Sequence, residues 1–334
     1  MSDLPQQPFR AFRLREGGDG GEVTTITLDD LNPGEVVIKS QYSSVNYKDA
    51  LAGTGKGQIA RKLPLIGGVD VAGTVAHSEV DGIKAGDIVL VNGSGLSEDR
   101  DGGYAEYVRV PGELVIPMPS GLTPYEAMAI GTAGFSAALA LVRMEQNGLR
   151  PDLGPVAVTG ATGGVGSFAI DLLARAGYEA VAVTGKADQA DYLKSLGAAR
   201  VISREELETK GRPMEKAVWG GAIDNVGDGM LAELLRTTVP WGSIASIGLA
   251  GGPKLETTVM PFILRGVSLL GVTSANCPQD RRREVWNRLG SDWKPHNIDS
   301  IVSATVGLDE LGDVFERTLA GKIRGRTVVR TGES

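Results

Sequence analysis

The fold can be inferred from one segment, Val158-Thr159-Gly160-Ala161-Thr162-Gly163-Gly164-Val165-Gly166. It continues the apolar run Val156-Ala157-Val158 and opens a run rich in Ala, Leu and Ile, so it is expected to join a buried strand to a helix. Small residues there let the backbone approach a pyrophosphate, whose charge the helix N-terminus stabilises. Gly163 and Gly166 fit the G-x-G-x-x-G spacing, although Ala161 stands in its first place. A tight turn without a ligand is the plain alternative, but the strand–helix–strand context favours a dinucleotide-binding turn. The cofactor contacts predicted from it are Thr162, Gly163, Gly164 and Val165.

The flanking sequence alternates between strand and helix patterns. Further strands are expected at 180–183, 200–202, 221–224, 242–247 and 267–272, and helices at 167–176 and 188–196. This alternation predicts a doubly wound parallel sheet, and hence an α/β fold.

The first third of the chain and its tail have a different texture. Short alternating strands with turn residues between them, and a returning strand at 325–329, predict a partly closed β-barrel or sandwich. Between the two regions, residues 125–144 are rich in Ala, Leu and Met and predict a helix, with Thr123 as its cap and Pro124 in its first turn.

The end of the second strand of the parallel sheet distinguishes between the two nicotinamide cofactors. NAD enzymes place an acid there for the ribose 2′-hydroxyl, whereas this chain has Thr184-Gly185-Lys186. A hydroxyl, a glycine and a cation suit a 2′-phosphate, and Arg204 after the third strand offers a second positive charge. Each cation taken alone reads as an ordinary solvated residue. Together with the missing acid they favour NADPH over NADH.

Composition excludes several classes of protein. The chain has 334 residues and a net charge of -7 without a basic block, which disfavours nucleic-acid and anionic-membrane binding. One cysteine, Cys277, excludes an internal disulfide, and two histidines disfavour a metal site built on histidine. We see no unbroken apolar run long enough to span a bilayer and no signal peptide in residues 1–15, so a cytoplasmic protein is expected.

Several motifs resemble the medium-chain dehydrogenase/reductase superfamily, and within it the zinc-free acrylyl-CoA reductase (quinone oxidoreductase-like) family. The resemblance covers about residues 36–329, and the last motif is the most specific, because a Rossmann domain alone does not require it. The motifs are SSVNYKDAL (43–51), TGKG (54–57), IGTAGF (130–135), YLKSLGA (192–198), WGGAID (219–224), GLAGG (248–252) and TVMPFILR (258–265).

The resemblance implies a domain plan and a reaction. It implies a GroES-like catalytic domain at 1–127, to which 297–334 return, and a Rossmann NADPH-binding domain at 128–296. It implies hydride transfer to the β-carbon of a short 2-enoyl-CoA, most simply acryloyl-CoA, without zinc, since Gly68-Val69-Asp70 stands where zinc alcohol dehydrogenases have Gly-His-Glu.

The resemblance also implies site residues. Tyr47 is expected beside the nicotinamide and the substrate, where its phenol is able to donate a hydrogen bond. Asn46 is expected to polarise a carbonyl, to hold the adjacent loop or to be a satisfied turn residue. Thr132 is expected either to face the cofactor or to be closely packed. The remaining implied cofactor contacts are Leu249, Ile263 and Ser274.

Two further expectations concern the substrate. Coenzyme A carries phosphates, so a cationic rim is expected among Lys56, Arg61, Arg281, Arg282, Arg283, Arg324 and Arg326. The acidic segment 95–103 departs from the family, in which an aromatic residue often precedes the Gly-Gly pair, and it is expected to change substrate size or affinity if it lines the acyl pocket.

Alternative functions remain open at this point. An NADPH-dependent quinone or enone reductase would use the same cofactor site, and a non-catalytic NADPH-binding structural protein would keep the fold without turnover. A homodimer is expected, with the strand at 267–272 as the pairing edge.

Overall fold

The computed structural model describes residues 4–208 and 211–332, and its contacts divide the chain into two compact units. The first unit contains the chain up to Thr132, Ala275–Ser291 and the chain from Val302 onward; the second contains Ala133–Ser274 and Asp292–Ile301. Residues 275–291 thus fall in the first unit, whereas the sequence assigned them to the Rossmann domain.

The strands, in chain order, are β1 (Phe9–Leu14), β2 (Gly21–Ile26), β3 (Val36–Ser44), β4 (Leu65–Ile66), β5 (Asp70–Ser78), β6 (Ile88–Asn92), β7 (Tyr107–Val110), β8 (Ile116–Pro117), β9 (Val156–Thr159), β10 (Ala180–Val183), β11 (Arg200–Ile202), β12 (Trp219–Asp224), β13 (Thr238–Ser246), β14 (Ser268–Gly271), β15 (Val302–Val306) and β16 (Arg326–Arg330).

The α-helices are α1 (Tyr47–Gly53), α2 (Pro124–Gln146), α3 (Gly164–Arg175), α4 (Ala190–Ser195), α5 (Arg204–Leu207), α6 (Asp228–Thr237), α7 (Met260–Arg265), α8 (Gln279–Leu289), α9 (Ile298–Ile301) and α10 (Leu311–Leu319). Short 3-10 helices lie at Leu28–Asp30, Gly112–Leu114, Pro151–Leu153, Ala187–Gln189 and Leu308–Glu310.

The first unit is built from two sheets. One runs β2-β1-β4 and is antiparallel; the other runs β15-β16-β3-β5-β6-β8, with β7 paired to β3. The tail strand β16 pairs with β3 through Val328 opposite Ser44, whereas residues 297–301, which the sequence assigned to the first domain with the tail, fall in the second unit.

The second unit contains a six-stranded parallel sheet in the order β11-β10-β9-β12-β13-β14. From β9 the chain builds outward through β10 and β11, then returns to β12 on the other side of β9. The strand order therefore reverses between β9 and β12, which is where open α/β sheets bind their ligands. The predicted doubly wound fold is confirmed.

Helix α2 begins as predicted but is interrupted. The backbone N–H of Glu126 donates to Thr123 Oγ1 at 3.2 Å, so Thr123 is its cap. At Gly131 the backbone leaves helical geometry (φ 49°) and then resumes it. This helix is long and apolar enough to cross a membrane, contrary to the sequence-based expectation, but 94% of its most apolar window is buried inside the protein. It therefore has the burial of a core helix.

Candidate active site

The predicted dinucleotide-binding turn lies directly after β9. Gly160 adopts a positive φ of 59°, and Gly163 is the N-cap of α3 without any side chain to occupy the helix end. A Cβ on Gly166 would lie 2.5 Å from the carbonyl oxygen of Gly160, closer than real atoms approach. The turn is thus closed by glycines where only glycine fits, and Thr162, Gly163, Gly164 and Val165 lie on it.

The first turn of α3 is suited to an anion. Backbone N–H groups at a helix N-terminus have no partner within the helix, and their dipoles favour negative charge. Gly163 donates its own N–H to the Gly160 carbonyl at 3.0 Å, which holds the turn while leaving the following N–H groups directed out of the helix end. The residues present therefore fit a cofactor pyrophosphate.

The residues predicted to select the cofactor follow the next two strands. Thr184-Gly185-Lys186 leaves the end of β10, and the Lys186 N–H donates to Thr184 Oγ1 at 3.1 Å. Arg204 begins α5, just after β11, and is exposed. Its Nε would lie 3.2 Å from a Cβ on Gly185, so the guanidinium lies beside that glycine. The structure thus brings Gly185 and Arg204 together, as a 2′-phosphate site requires.

The sequence analysis missed a buried hydrogen-bond cluster where β9 and β12 end. Thr159 Oγ1 donates to Asp224 Oδ1 at 2.7 Å and accepts the Asn225 N–H at 2.9 Å. Asp224 Oδ2 accepts the Gly227 N–H at 2.8 Å, and burial raises the pKa of Asp224. The cluster holds the two strand ends on either side of the point where the strand order reverses. An acid at the end of an otherwise apolar strand is the signal that would have found it.

The remaining predicted cofactor contacts of the second unit lie on its last elements. Leu249 follows β13 and is exposed, and Ile263 is exposed on α7. Ser274 follows β14 and is partly buried. The predicted residues of this unit therefore follow the carboxyl ends of neighbouring parallel strands, where such sheets bind ligands.

Tyr47 and Asn46, the predicted catalytic residues, begin helix α1 in the first unit. Tyr47 is the first helical residue and is 51% exposed. Asn46 is the N-cap, and its side-chain amide is directed into the protein. Its Nδ2 donates to Asp70 Oδ2 at 2.8 Å and to Asp49 Oδ2 at 3.1 Å, and its Oδ1 accepts from Arg326 Nη1 at 3.0 Å. These hydrogen bonds agree with the interpretation of Asn46 as a satisfied turn residue.

Behind α1 lies a buried cluster of two carboxyl groups and one guanidinium: Asp49, Asp70 and Arg326. Arg326 Nη2 lies 4.0 Å from Asp70 Oδ2, and its other N–H groups donate to backbone carbonyls and side chains. Burial and the charge of Asp70 raise the pKa of Asp49 to about 7. Burial and the nearby Asp49 raise the pKa of Tyr104, whose hydroxyl donates to the Ser44 carbonyl at 3.1 Å. The cluster holds the start of α1, and hence Tyr47, against β3 and β5.

Asp70 also explains the break in α2. It accepts the Thr132 N–H at 3.0 Å and the Thr132 hydroxyl at 2.7 Å, which caps the resumed helix. A Cβ on Gly131 would lie 2.6 Å from Arg326 Nη2 and 2.9 Å from Asp70 Oδ2, so only glycine fits. The Thr132 hydroxyl therefore donates its hydrogen bond to Asp70, which agrees with the interpretation of Thr132 as a closely packed residue.

The acidic loop that follows β6 is anchored rather than loosely solvated. Leu96 and Ser97 are buried, and Asp101 accepts the Ile66 N–H at 2.9 Å. Two of its acids pair with neighbouring cations: Lys48 donates to Glu98 at 2.5 Å, and Arg61 donates to Asp99 at 3.2 Å. Ser97 has a positive φ of 62°, a conformation that favours glycine. The loop is thus fastened to α1 through the residue next to Tyr47.

Several cations that were predicted to form a rim for coenzyme A are buried or paired with acids. Arg282 is buried and donates to the carbonyls of Asn92 and Cys277, and Arg326 is buried in the cluster described above. Burial lowers the pKa of both side chains. Lys56 is paired with Glu316. The prediction that Arg282 and Arg326 belong to this rim is therefore wrong, because both side chains are buried and hydrogen-bonded inside the protein.

Over residues 4–208 and 211–332, no group of three or more His, Cys, Asp or Glu side chains is arranged to hold a metal ion. Cys277 is buried, and its burial raises the pKa of its thiol. It lacks the lowered pKa of a reactive cysteine.

Two family models match parts of the chain. The family model described as the alcohol dehydrogenase GroES-like domain matches residues 32–120, and the model described as zinc-binding dehydrogenase matches residues 164–291.

Two relatives and two solved structures match nearly the whole chain. The chain is 47% identical to AcuI of Escherichia coli, named as an acrylyl-CoA reductase, over 95% of this chain and 98% of that protein. It is 47% identical to YhfP of Bacillus subtilis, named as a quinone oxidoreductase, over 96% of this chain and 98% of that protein. The crystal structure of yhfP with NAD bound has a TM-score of 0.94 at 46% identity, covering 97% of this chain and 100% of that one. The structure of Escherichia coli YhdH with bound NADPH has a TM-score of 0.92 at 46% identity, covering 96% of this chain and 100% of that one.

Proposed function

Because the chain belongs to the quinone oxidoreductase-like, acrylyl-CoA reductase family of the medium-chain dehydrogenase/reductase superfamily, we propose that it reduces the carbon–carbon double bond of a short 2-enoyl-CoA with NADPH. Acryloyl-CoA, giving propanoyl-CoA, is the substrate we assign. The observation that carries the proposal is the 47% identity to a protein named as an acrylyl-CoA reductase, over 95% of this chain.

The cofactor assignment rests on the loops that follow three adjacent strands. The N–H groups opening α3 would hold the pyrophosphate, and Thr184, Lys186 and Arg204 would hold the 2′-phosphate. Leu249 and Ile263, both exposed, and Ser274 would contact the nicotinamide half. An NAD-bound relative and an NADPH-bound relative share this fold, so Thr184-Gly185-Lys186 at the tip of β10, in the place of an acid, is the feature that favours NADPH.

Bound NADPH supplies the hydride that adds to the β-carbon of the enoyl thioester. The electron pair of the double bond moves toward the thioester carbonyl, and the resulting enolate takes a proton from water at its α-carbon. The conjugated carbonyl itself withdraws this charge, so the reaction proceeds without zinc. The Tyr47 phenol, half-exposed at the start of α1, is the group we assign to donate a hydrogen bond to the enolate oxygen. Asn46 holds that helix start through its bonds to Asp49, Asp70 and Arg326.

The test follows NADPH oxidation by the purified protein with acryloyl-CoA, crotonyl-CoA, a simple quinone and free acrylate side by side, and with NADH as the control cofactor. We expect acryloyl-CoA with NADPH to give the highest kcat/KM. Turnover of the quinone alone would contradict the thioester assignment while keeping the cofactor site.

An NADPH-dependent quinone or enone reductase is the second candidate. It is favoured by one observation, the equal 47% identity to YhfP of Bacillus subtilis, which is named as a quinone oxidoreductase. Tight NADPH binding without turnover of either substrate class would instead support a non-catalytic structural protein. The same assay separates the three.

We also propose that the protein forms a homodimer through the β14 edge of the parallel sheet. Within the described part of the chain, β14 pairs with β13 alone, and edge strands of this kind invite pairing. Large apolar side chains lie exposed on the neighbouring elements: Trp241 at 76%, Val259 at 65% and Leu264 at 62%. Such a concentration marks an association surface.

The cytoplasm is the compartment we propose. The chain has a single cysteine, and Cys277 is buried. Such cysteine usage suits a reducing compartment.

A further inference from the structure

Arg100 is a cation without a partner in the loop that follows β6. Its Nε is buried and has no hydrogen-bond acceptor, and the side chain makes no hydrogen bond or ion pair with residues 4–208 and 211–332. Its Nε would lie 3.2 Å from a Cβ on Gly95, so the guanidinium lies beside the loop's own backbone. The neighbouring acids Glu98 and Asp99 are committed to Lys48 and Arg61.

An arrangement of this kind is costly unless an anion completes it. A partly buried guanidinium has lost hydration, and each buried N–H without an acceptor adds a desolvation penalty. Of the three acids in this loop, Glu98 and Asp99 pair with other cations and Asp101 accepts backbone N–H groups, so none of them is paired with Arg100. A planar guanidinium is the side chain best suited to bind phosphate or carboxylate oxygens in pairs.

The loop is held next to the proposed catalytic residue. Its first residue, Gly93, donates its N–H to the Val69 carbonyl at 2.8 Å, and its last, Gly103, donates to the Gly68 carbonyl at 2.8 Å. Lys48, adjacent to Tyr47, bonds Glu98 in the middle of the loop. Arg100 is therefore fixed to the same framework as Tyr47.

We propose that Arg100 binds an oxyanion of the substrate, either a phosphate of its coenzyme A or a carboxylate on its acyl chain. This inference rests on the proposed function for the identity of the thioester. It assigns substrate recognition to a residue outside the cationic rim considered from the sequence. The acidic loop thus contributes positive charge to the substrate at this position.

The experiment measures equilibrium binding by calorimetry, with the full-length protein saturated with NADP⁺. Three unreactive ligands separate the sources of the oxyanion: propanoyl-CoA carries phosphates, succinyl-pantetheine carries only a carboxylate, and propanoyl-pantetheine carries neither. The variants are Arg100→Met, which removes the charge, and Arg100→Lys, which keeps the charge but loses the planar fork. Lys84→Met, an exposed lysine at another turn, controls for net charge.

We expect Arg100→Met to weaken propanoyl-CoA binding about ten- to hundredfold, as loss of a charge-assisted hydrogen bond does, and to leave propanoyl-pantetheine unchanged. Arg100→Lys should lose less, and Lys84→Met nothing. Weakening confined to succinyl-pantetheine would identify the acyl carboxylate as the oxyanion and still support the site. Equal weakening of all three ligands, weakening of none, or no binding by the wild type would overturn it. Turnover of acryloyl-CoA by the wild type, assayed separately, reports on the proposed function alone.

Discussion

Tyr47 and Asn46 are adjacent residues with opposite surroundings. The Asn46 side-chain amide is hydrogen-bonded to three buried charged groups, whereas Tyr47 is half-exposed on the first turn of α1. A residue that is held by a buried cluster supports the site, and the exposed neighbour that it positions is free to contact substrate. This division assigns chemistry to Tyr47 and positioning to Asn46.

Replacing Tyr47 with Phe tests this assignment. The ring remains and only the hydroxyl is lost, so we expect kcat/KM for acryloyl-CoA to fall about ten- to hundredfold, as loss of a hydrogen bond to developing charge does. The NADPH dissociation constant and the melting temperature should stay near their wild-type values, because the hydroxyl is not part of the core. An unchanged kcat/KM would show that the Tyr47 hydroxyl takes no part in the reaction. Water would then be the hydrogen-bond donor to the enolate oxygen.

Asp49 predicts a pH dependence of stability. Its pKa of about 7 in the folded protein exceeds that of an unfolded aspartate, about 3.9. Between these values the folded state holds a proton that the unfolded state has lost, so rising pH lowers the free energy of unfolding. This contribution is fully present below about pH 4 and is lost as the pH rises through about 7.

Asp49→Asn cannot titrate, so it isolates this effect. Urea unfolding gives the free energy of unfolding of both proteins, and the wild-type value minus the variant value should fall as the pH rises from about 5 to about 8. The slope should be at most about 1.4 kcal/mol per pH unit. We expect the variant to be less stable at every pH in this range. Each Asp49 oxygen accepts one backbone N–H, from Asn46 or Val69, and an asparagine replaces one of these acceptors with an NH₂ donor. A wild-type advantage that is constant or grows with pH would contradict the raised pKa.

Sequence reasoning predicted individual site residues where a local pattern marks them. Glycine spacing marks Gly163 and Gly166, and a missing acid marks Thr184-Gly185-Lys186. The cluster of Asp49, Asp70 and Arg326 has no local pattern, because its members lie far apart in the chain and meet only when β16 pairs with β3. For the same reason Arg326 looked like a surface cation.

We propose that the turn from β9 to α3 holds the cofactor pyrophosphate. A methyl group on Gly166 would collide with the Gly160 carbonyl at 2.5 Å, so Gly166→Ala must displace the N–H groups that open α3. We expect NADPH affinity to fall at least about tenfold, because we assign the anion site to these groups. The matched control is Gly229→Ala on α6, where an added Cβ meets nothing within 4 Å. Fluorescence titration with NADPH measures both, and equal affinities would contradict the assignment.

We propose that the loops after β10 and β11 select the cofactor together. If Lys186 and Arg204 hold the 2′-phosphate, Lys186→Met and Arg204→Met should each weaken NADPH binding about tenfold and leave NADH binding unchanged. Lys194→Met, on the exposed side of α4, serves as the control. Parallel loss of NADPH and NADH affinity in either variant would show that the cation supports the fold rather than the phosphate.

Regular elements were more predictable than the connections between them. Every strand expected in the parallel sheet is present, because buried parallel strands are continuous apolar runs. The interruption of α2 at Gly131 was not foreseen, since it depends on the distant Asp70 and Arg326. The anchoring of the 93–103 loop was not foreseen either: Leu96 and Ser97 are buried although the segment is acidic and polar.

The division of the whole chain into units shows the same limit. The predicted boundary near residue 127 lies close to the observed one at Thr132, because the texture of the sequence changes there. The segment Ala275–Ser291 follows the Rossmann strands in sequence but belongs to the first unit. Asn92 holds it there by accepting from Arg282 Nη1 at 2.7 Å through its carbonyl and from Trp286 Nε1 at 2.8 Å through its side chain. Only the folded structure brings these residues together.

The assembly of the whole molecule gives the last prediction. If copies associate along the β14 edge, charges placed on its apolar surroundings should separate them, because a carboxylate buried in an interface without a partner is strongly unfavourable. Trp241→Glu combined with Leu264→Glu should convert a dimeric mass to a monomeric one in size-exclusion chromatography with light scattering. Both side chains are exposed in the single chain, at 76% and 62%, so the substitutions should leave its core intact.

Ile88→Glu is the matched control, since Ile88 is also a large exposed apolar residue, at 48%, but lies on β6 of the first unit. It should leave the mass unchanged. The melting temperature of the wild type should rise with protein concentration, because association stabilises only the folded chain, and that of the double variant should not. A wild type that is monomeric at all concentrations would contradict the proposal. A double variant that remains dimeric would move the interface away from β14.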